Sequence, residues 1–114
     1  MARRLTTTRQ IDSYVASVIT DARHHASSVE HIIQPLADAV LARLGPNDTL
    51  EVYERNGVIA RTCWVRIAGI RYCFSYDYTN RVIDLRDRGL QGALRFSFDN
   101  STTSSQIHTQ ISAL

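Results

Sequence analysis

Residues 49–88 read TLEVYERNGVIARTCWVRIAGIRYCFSYDYTNRVIDLRDR, and the order of side chains along this run decides the fold. Apolar and polar residues alternate with a period of two, as in a strand buried on one face. Asn56-Gly57 interrupts the alternation with the pair best suited to the positive φ angles of a type I′ hairpin turn. Ala68-Gly69 and Thr79-Asn80 mark the other two interruptions and read as two-residue turns as well. Three such turns leave no freedom in the pairing. Positions whose numbers add to 113 then face each other across the first hairpin, 137 across the second and 159 across the third.

This register sorts the side chains cleanly. One face collects Leu50, Val52, Cys63, Val65, Ile67, Ile70, Tyr72, Phe74, Tyr76, Ile83 and Leu85. The other collects Glu51, Tyr53, Thr62, Trp64, Arg66, Arg71, Cys73, Ser75, Asp77, Asp84 and Arg86. A slip of one residue would mix the two sets, so the separation itself supports the turns. Arg61 is the one charge on the apolar face, near a strand end where its aliphatic stem can reach solvent. Cys63 and Cys73 fall on opposite faces of neighbouring strands, which argues against a disulfide between them.

Outward from the sheet, Leu94, Phe96 and Phe98 alternate again after Gly89 and Gly92 and read as a fifth strand. Upstream the period changes. Thr7 and Gln10 have capping-box spacing, and Ile11, Tyr14, Val15, Val18, Ile19 and Ala22 follow as one helical stripe. Ser27 and Glu30 repeat the capping signal ahead of Ile33, Leu36, Ala37, Val40, Leu41 and Leu44, and Gly45-Pro46 ends the stripe. Pro35 lacks a backbone donor, so this helix either kinks there or starts there after an irregular turn. Ile107, Ile111 and Leu114 are helically spaced in a segment of poor helix formers, which gains order only by docking.

The chain of 114 residues, 44% hydrophobic, suffices for one core and not for two. The reading is an α+β domain, with two N-terminal helices on one face of a five-stranded antiparallel meander, then a short C-terminal helix. Its parts are a disordered arm at 1–6, a two-helix segment at 8–44, the sheet at 49–98 and a C-terminal helix or tail at 101–114. No run reaches membrane-span length and no signal-peptide core follows the basic N-terminus, so the expected location is the cytoplasm.

The formal net charge of +2 is too mild to imply a polyanion partner by itself, yet all 13 basic residues are arginine. Codon usage in a GC-rich genome accounts for that, as does a need for planar guanidinium forks. The register sets Arg66, Arg71 and Arg88 side by side on three adjacent strands of the open face, with Trp64, Cys73 and Arg86 in the next row. Like charges facing one another destabilise a strand pair, so the row calls for an anion, to which Asp84 or Asp87 can contribute. Trp64, Arg66, Arg71, Arg86, Arg88 and Tyr53 are therefore the candidate ligand-binding residues. Against that stand arginines splayed idly into solvent and ion pairs across a subunit interface.

His24, His25 and His31, with Asp21 a helical turn upstream, have spacings that can share a cation, but histidines also suit a solvated helix end. Asp77 and Asp84 share a face without sharing a row, and no nucleophile or phosphate-cradling motif occurs. No catalytic residue, metal or cofactor is assigned.

The stretch from Arg66 through Arg71 to Asp77, followed by Val82 to Arg88, resembles the sheet of RelE-type toxins. That family places two helices before such a meander, with a strand ahead of them that is not expected here, and cleaves ribosome-bound messenger RNA. The resemblance implies phosphate contacts by Arg71, Arg86 and Arg88. Taken whole, the chain resembles the small α+β proteins encoded by mobile integron gene cassettes, which implies a small, often oligomeric protein. The expected function is non-catalytic binding of an anionic small molecule, a nucleic acid or a protein partner at the Arg/Trp face, as a homodimer. An RNA-cleaving activity, or a face serving only as the homodimer interface, is the alternative.

Overall fold

The computed structural model describes residues 2–55 and 58–114, with side chains described outside residues 2–3 and 54–61. Along the chain run β1 (Ala2–Arg4), α1 (Thr8–His25), α2 (Ile33–Arg43), β2 (Thr49–Arg55), β3 (Val58–Ile67), β4 (Ile70–Asp77), β5 (Val82–Asp87), β6 (Leu94–Phe98) and α3 (Ser104–Ser112). The sheet is an antiparallel meander in the order β1-β2-β3-β4-β5-β6. The expected two helices, five-stranded meander and terminal helix are all present, and one further strand joins them.

That strand replaces the arm expected at residues 1–6. Ala2, Arg3 and Arg4 pair with Tyr53, Val52 and Glu51, and the Leu5 amide donates to the Leu50 carbonyl at 2.9 Å. An uncovered β2 would present a row of unpaired backbone groups, and the buried Leu5 supplies the apolar anchor that holds the strand against them.

Thr7 caps α1 as predicted. Its hydroxyl accepts from the Gln10 amide, and the Gln10 side chain accepts from the amides of Thr6 and Thr7. The second capping signal is not used. Residues 27–32 form turns and α2 begins at Ile33, so Pro35 lies in its first turn, where its missing N–H is no loss. Asn100 claims the turn instead: its amide donates to the Ser28 carbonyl, its side chain donates to the Ser27 carbonyl, and its Oδ1 accepts from the His31 amide.

The second and third hairpins have the expected register, from Cys63↔Phe74 to Ile67↔Ile70 and from Tyr72↔Asp87 to Asp77↔Val82. Ala68 and Gly69 both have positive φ, 52° and 82°, as a type I′ turn requires. The third connection is a four-residue loop, 78–81, rather than a two-residue turn, with Arg81 left-handed and donating its amide to the Asp77 carbonyl. Asn56-Gly57 and the Arg61 side chain lie outside the described residues. Around them the first hairpin departs from expectation. Glu54↔Ile59 and Arg55↔Val58 follow it, but Thr49↔Arg66 through Val52↔Cys63 are displaced by two, so residues 60–62 of β3 lie opposite Tyr53 alone. An even displacement keeps every side chain on its face, which is why the two sets survive.

The helices cover the apolar face, where Val52, Val65 and Leu85 are wholly buried and Ile67 and Tyr72 nearly so. Ile70, assigned to that face, is 55% exposed at its turn. A bulge in β6 sets Leu94 opposite Arg86 and leaves it exposed, whereas Phe96 and Phe98 keep their phase. The terminal segment is a helix, α3, packed against α2 of the same chain with Ile107 and Ile111 buried. A second capping box, Thr103 with Gln106, starts it.

Three aspartates hold turns together. Asp48 accepts from the amides of Gly45 and Ala68, tying the exit of α2 to the second hairpin. Asp77 accepts from the Asn80 side chain and the amides of Asn80 and Thr79, and Asp99 from the hydroxyl and amide of Ser101. These bonds favour the ionised form and hold all three carboxyls below the usual carboxylate range. A depressed folded-state pKa gives stability that is complete above the unfolded value, about 3.9, and is lost as pH falls through the folded one. The thermal midpoint is therefore expected to hold steady near neutrality and drop in acid. Asp48→Asn should lower the neutral-pH midpoint and converge on wild type in strong acid. Parallel curves would show that this carboxylate does not contribute.

Candidate functional site

The register builds the open face in rows. Thr49, Arg66 and Arg71 form one across β2, β3 and β4, and Glu51, Trp64, Cys73 and Arg86 form the next. Arg88 stands just past the end of β5 with φ of 64°, outside the strand's alternation. It is nonetheless coupled to Arg71: the Arg88 amide donates to the Arg71 carbonyl at 2.9 Å, and Arg71 Nε donates to the Arg88 carbonyl at 2.7 Å. Arg66 Nη1 donates to the Gly69 carbonyl at 3.2 Å. Both guanidiniums are thus oriented by backbone carbonyls, which accept hydrogen bonds but do not neutralise charge.

Neither aspartate expected to balance this row does so. Asp84 is buried, accepts from the Ser97 hydroxyl at 2.8 Å and pairs with Arg86 Nη2 at 3.4 Å. Asp87 pairs with Arg95, which also lies 5.2 Å from the centre of the Tyr72 ring. Among the described residues, no carboxylate is within ion-pair distance of the exposed Arg66, Arg71 or Arg88. Arg86 belongs to a different arrangement. Its Nη1 donates to the Gly92 carbonyl at 3.1 Å, so it ties the 88–93 loop to the buried Asp84. The sequence placed Arg86 on the ligand surface through its row with Trp64 and Cys73, and the alternation does not locate the Gly92 carbonyl that holds it. The glycine pair 89 and 92 was the only sign of a close-packed loop there.

Cys73 has no exposure although it faces away from the helices, flanked in its row by Trp64 and Arg86. Burial pushes its thiol up, with the Arg71 and Arg86 guanidiniums acting in the opposite direction. Cys63 lies on the helix side, where burial raises its thiol well above the usual range, and both cysteines are free. Neither thiol is poised as a nucleophile. Trp64 is half-buried and Tyr53 is 41% exposed. The terminal helix does not cover them, since it packs on α2.

The histidines do not converge. His24 and His25 are exposed with ring centres 6.2 Å apart, and His31 lies beside Glu30. Among the described residues, no three His, Cys, Asp or Glu side chains are placed to hold a metal ion. Asp77 is engaged in its own turn and Asp84 with Ser97 and Arg86, so the two carboxylates do not form a pair.

Residues 11–108 match the family model described as integron cassette protein VCH_CASS1 chain, which takes in most of α1, all of α2, β2 to β6 and the first half of α3. The chain belongs to that family. The VCH_CASS1 assignment agrees with the gene-cassette resemblance drawn from its size and α+β style. No curated protein matches the chain. Within the VCH_CASS1 match lie Trp64, Arg66, Arg71 and Arg88, as well as the 88–93 loop. Among the described residues, no helix is long and apolar enough to cross a membrane.

Proposed function

We propose that the chain is a non-catalytic binding protein of the cytoplasm, working as a homodimer, that takes an anionic ligand on the sheet face formed by Arg66, Arg71 and Arg88 beside Trp64 and Tyr53. The observation that carries this reading is the uncompensated charge. Two arginines face each other directly across β3 and β4, a third adjoins them, and the aspartates near enough to help are committed to Arg86 and Arg95. Guanidiniums fixed through one N–H to the backbone keep their remaining donors for a phosphate or carboxylate, with little ordering left to do on binding. The exposed Tyr53 and half-buried Trp64 add aromatic surface at which a base or ring can stack.

Trp64 is the single tryptophan and reports on this face directly. Its fluorescence, followed at low salt during titration with short RNA, short DNA and inorganic phosphate, should change saturably with one of them and weaken as salt rises. Arg71→Ala should reduce that affinity by about 1.5–3 kcal/mol, the usual worth of a hydrogen bond to a charged group, while leaving the fold intact. A flat response from an already blue-shifted indole would count against an anion site and favour a subunit contact. In that case Trp64→Ala should change the mass seen by light scattering.

One observation favours a second reading. The strand β1 ahead of the two helices is a feature of RelE-type toxins, so RNA cleavage on the same face is the alternative. Overexpression that arrests growth, relieved by Arg71→Ala, would support it. Normal growth with undiminished expression would remove it.

A further inference from the structure

The other side of the sheet carries a feature that the arginine face does not involve. Between α1, α2 and the middle of the sheet lies a partly enclosed cavity of about 130 Å³. Its walls include Val15 and Val18 from α1, Leu36 and Val40 from α2, and Val65 and Phe74 from the sheet floor, and polar atoms are nearly absent from them. Folded interiors leave few voids larger than a water molecule. Water is a poor tenant for this one, since an ordered water needs two to four polar partners and this lining offers almost none. The helices therefore stand apart over an apolar space.

The burial pattern agrees. Val18, Ala37 and Leu41 sit on the core-facing stripes of their helices, yet remain half-exposed because the cleft between the helices opens past them. That opening gives a route in. His25, exposed, and Asp21, half-buried, stand one helical turn apart on α1 and are polar side chains of the lining, so a polar end of the space faces solvent. An apolar cavity of roughly 150 Å³ accepts a single benzene-sized ring, and the space here is of that order.

We infer that the cleft between α1 and α2 is a binding site for a small, neutral, one-ring aromatic molecule. The site is separate from the anion face and does not depend on it. The ring lies against Val15, Val40 and Phe74, and a single polar substituent points out toward Asp21 and His25.

The test is amide NMR of the full chain titrated with toluene and with phenol. Saturable shifts clustered at Val15, Val40 and Phe74, together with a rising thermal midpoint, are expected. Val18→Phe, which fills the space from α1, should abolish the saturation and fold at least as stably as wild type. Ala37→Leu, a smaller filling change on the facing helix, should weaken binding and decides the matter if Val18→Phe does not fold. The inference is overturned if neither probe gives saturable shifts up to its solubility. It is equally overturned if binding is undiminished in the folded variants. Shifts at the same residues that follow protein concentration rather than toluene would also overturn it, by making the cleft a subunit contact.

Discussion

Gly92→Ala is expected to destabilise the protein by on the order of 3 kcal/mol. A Cβ at this position would stand 1.5 Å from the Asp87 carbonyl oxygen and 2.6 Å from its carbon, so backbone must move. What moves is the 88–93 loop. The Asp87 amide bonds the Ala93 carbonyl, the Gly92 amide bonds the Gly89 carbonyl, and Arg86 Nη1 bonds the Gly92 carbonyl. Each of these is worth about 1 kcal/mol net, and losing the last leaves half-buried Arg86 leaning on Asp84 alone. Gly69→Ala is the control. It also introduces a Cβ, at φ of 82°, but into open space, and should cost only the left-handed strain of about 1–2 kcal/mol. Urea denaturation of both variants measures the difference. A loss at Gly92 no larger than at Gly69 would mean the loop can be rebuilt without this close approach.

Phe98→Ala should cost about 3–5 kcal/mol, the range for a fully buried phenylalanine. Phe98 has no exposure, although it ends a five-residue strand at the sheet edge. Its ring lies 4.8 Å from that of Phe96, and Ile83 is its cross-strand partner. The residues after it carry the turn that staples residues 27–31 and then lead into α3. Truncation therefore loosens three elements rather than one. Phe96→Ala, at a half-buried position, should lose about half as much. Equal losses at the two positions would show that burial is not what distinguishes them.

How much of this was legible in the sequence varied with the kind of interaction involved. The alternation of residues 49–88 and the Ala68-Gly69 pair sufficed for the middle of the sheet, because side-chain phase and turn chemistry are local properties. The same holds for the Thr7–Gln10 capping box. The first strand and the last helix were less visible, since neither has the propensity to form alone. Leu5 in one case, Ile107 and Ile111 in the other, stabilise them by contacts distant in the chain. The capping box at Thr103 and Gln106 that starts α3 was passed over in a segment otherwise made of poor helix formers. The displacement in the first hairpin left no trace in the pattern, because an even step does not alter it. At the arginine row, the facing of Arg66 and Arg71 followed from the register. The commitment of Asp84 to Arg86 depended on Ser97 and a loop carbonyl that alternation does not locate. The cavity was invisible for a related reason: an apolar stripe reads the same whether its helix packs tightly or stands off.

The two extra residues of β3 opposite Tyr53 bear on how such a chain changes length. Each side of a pleated ribbon repeats every second residue. A gene that gains or loses two codons at this hairpin therefore keeps the same amino acids turned inward, and the protein beneath is undisturbed. One codon has to be taken up by a bulge, as Arg95 is in β6, or it turns every residue beyond it inside out. An even change in the length of this hairpin is therefore one that its two faces absorb unchanged.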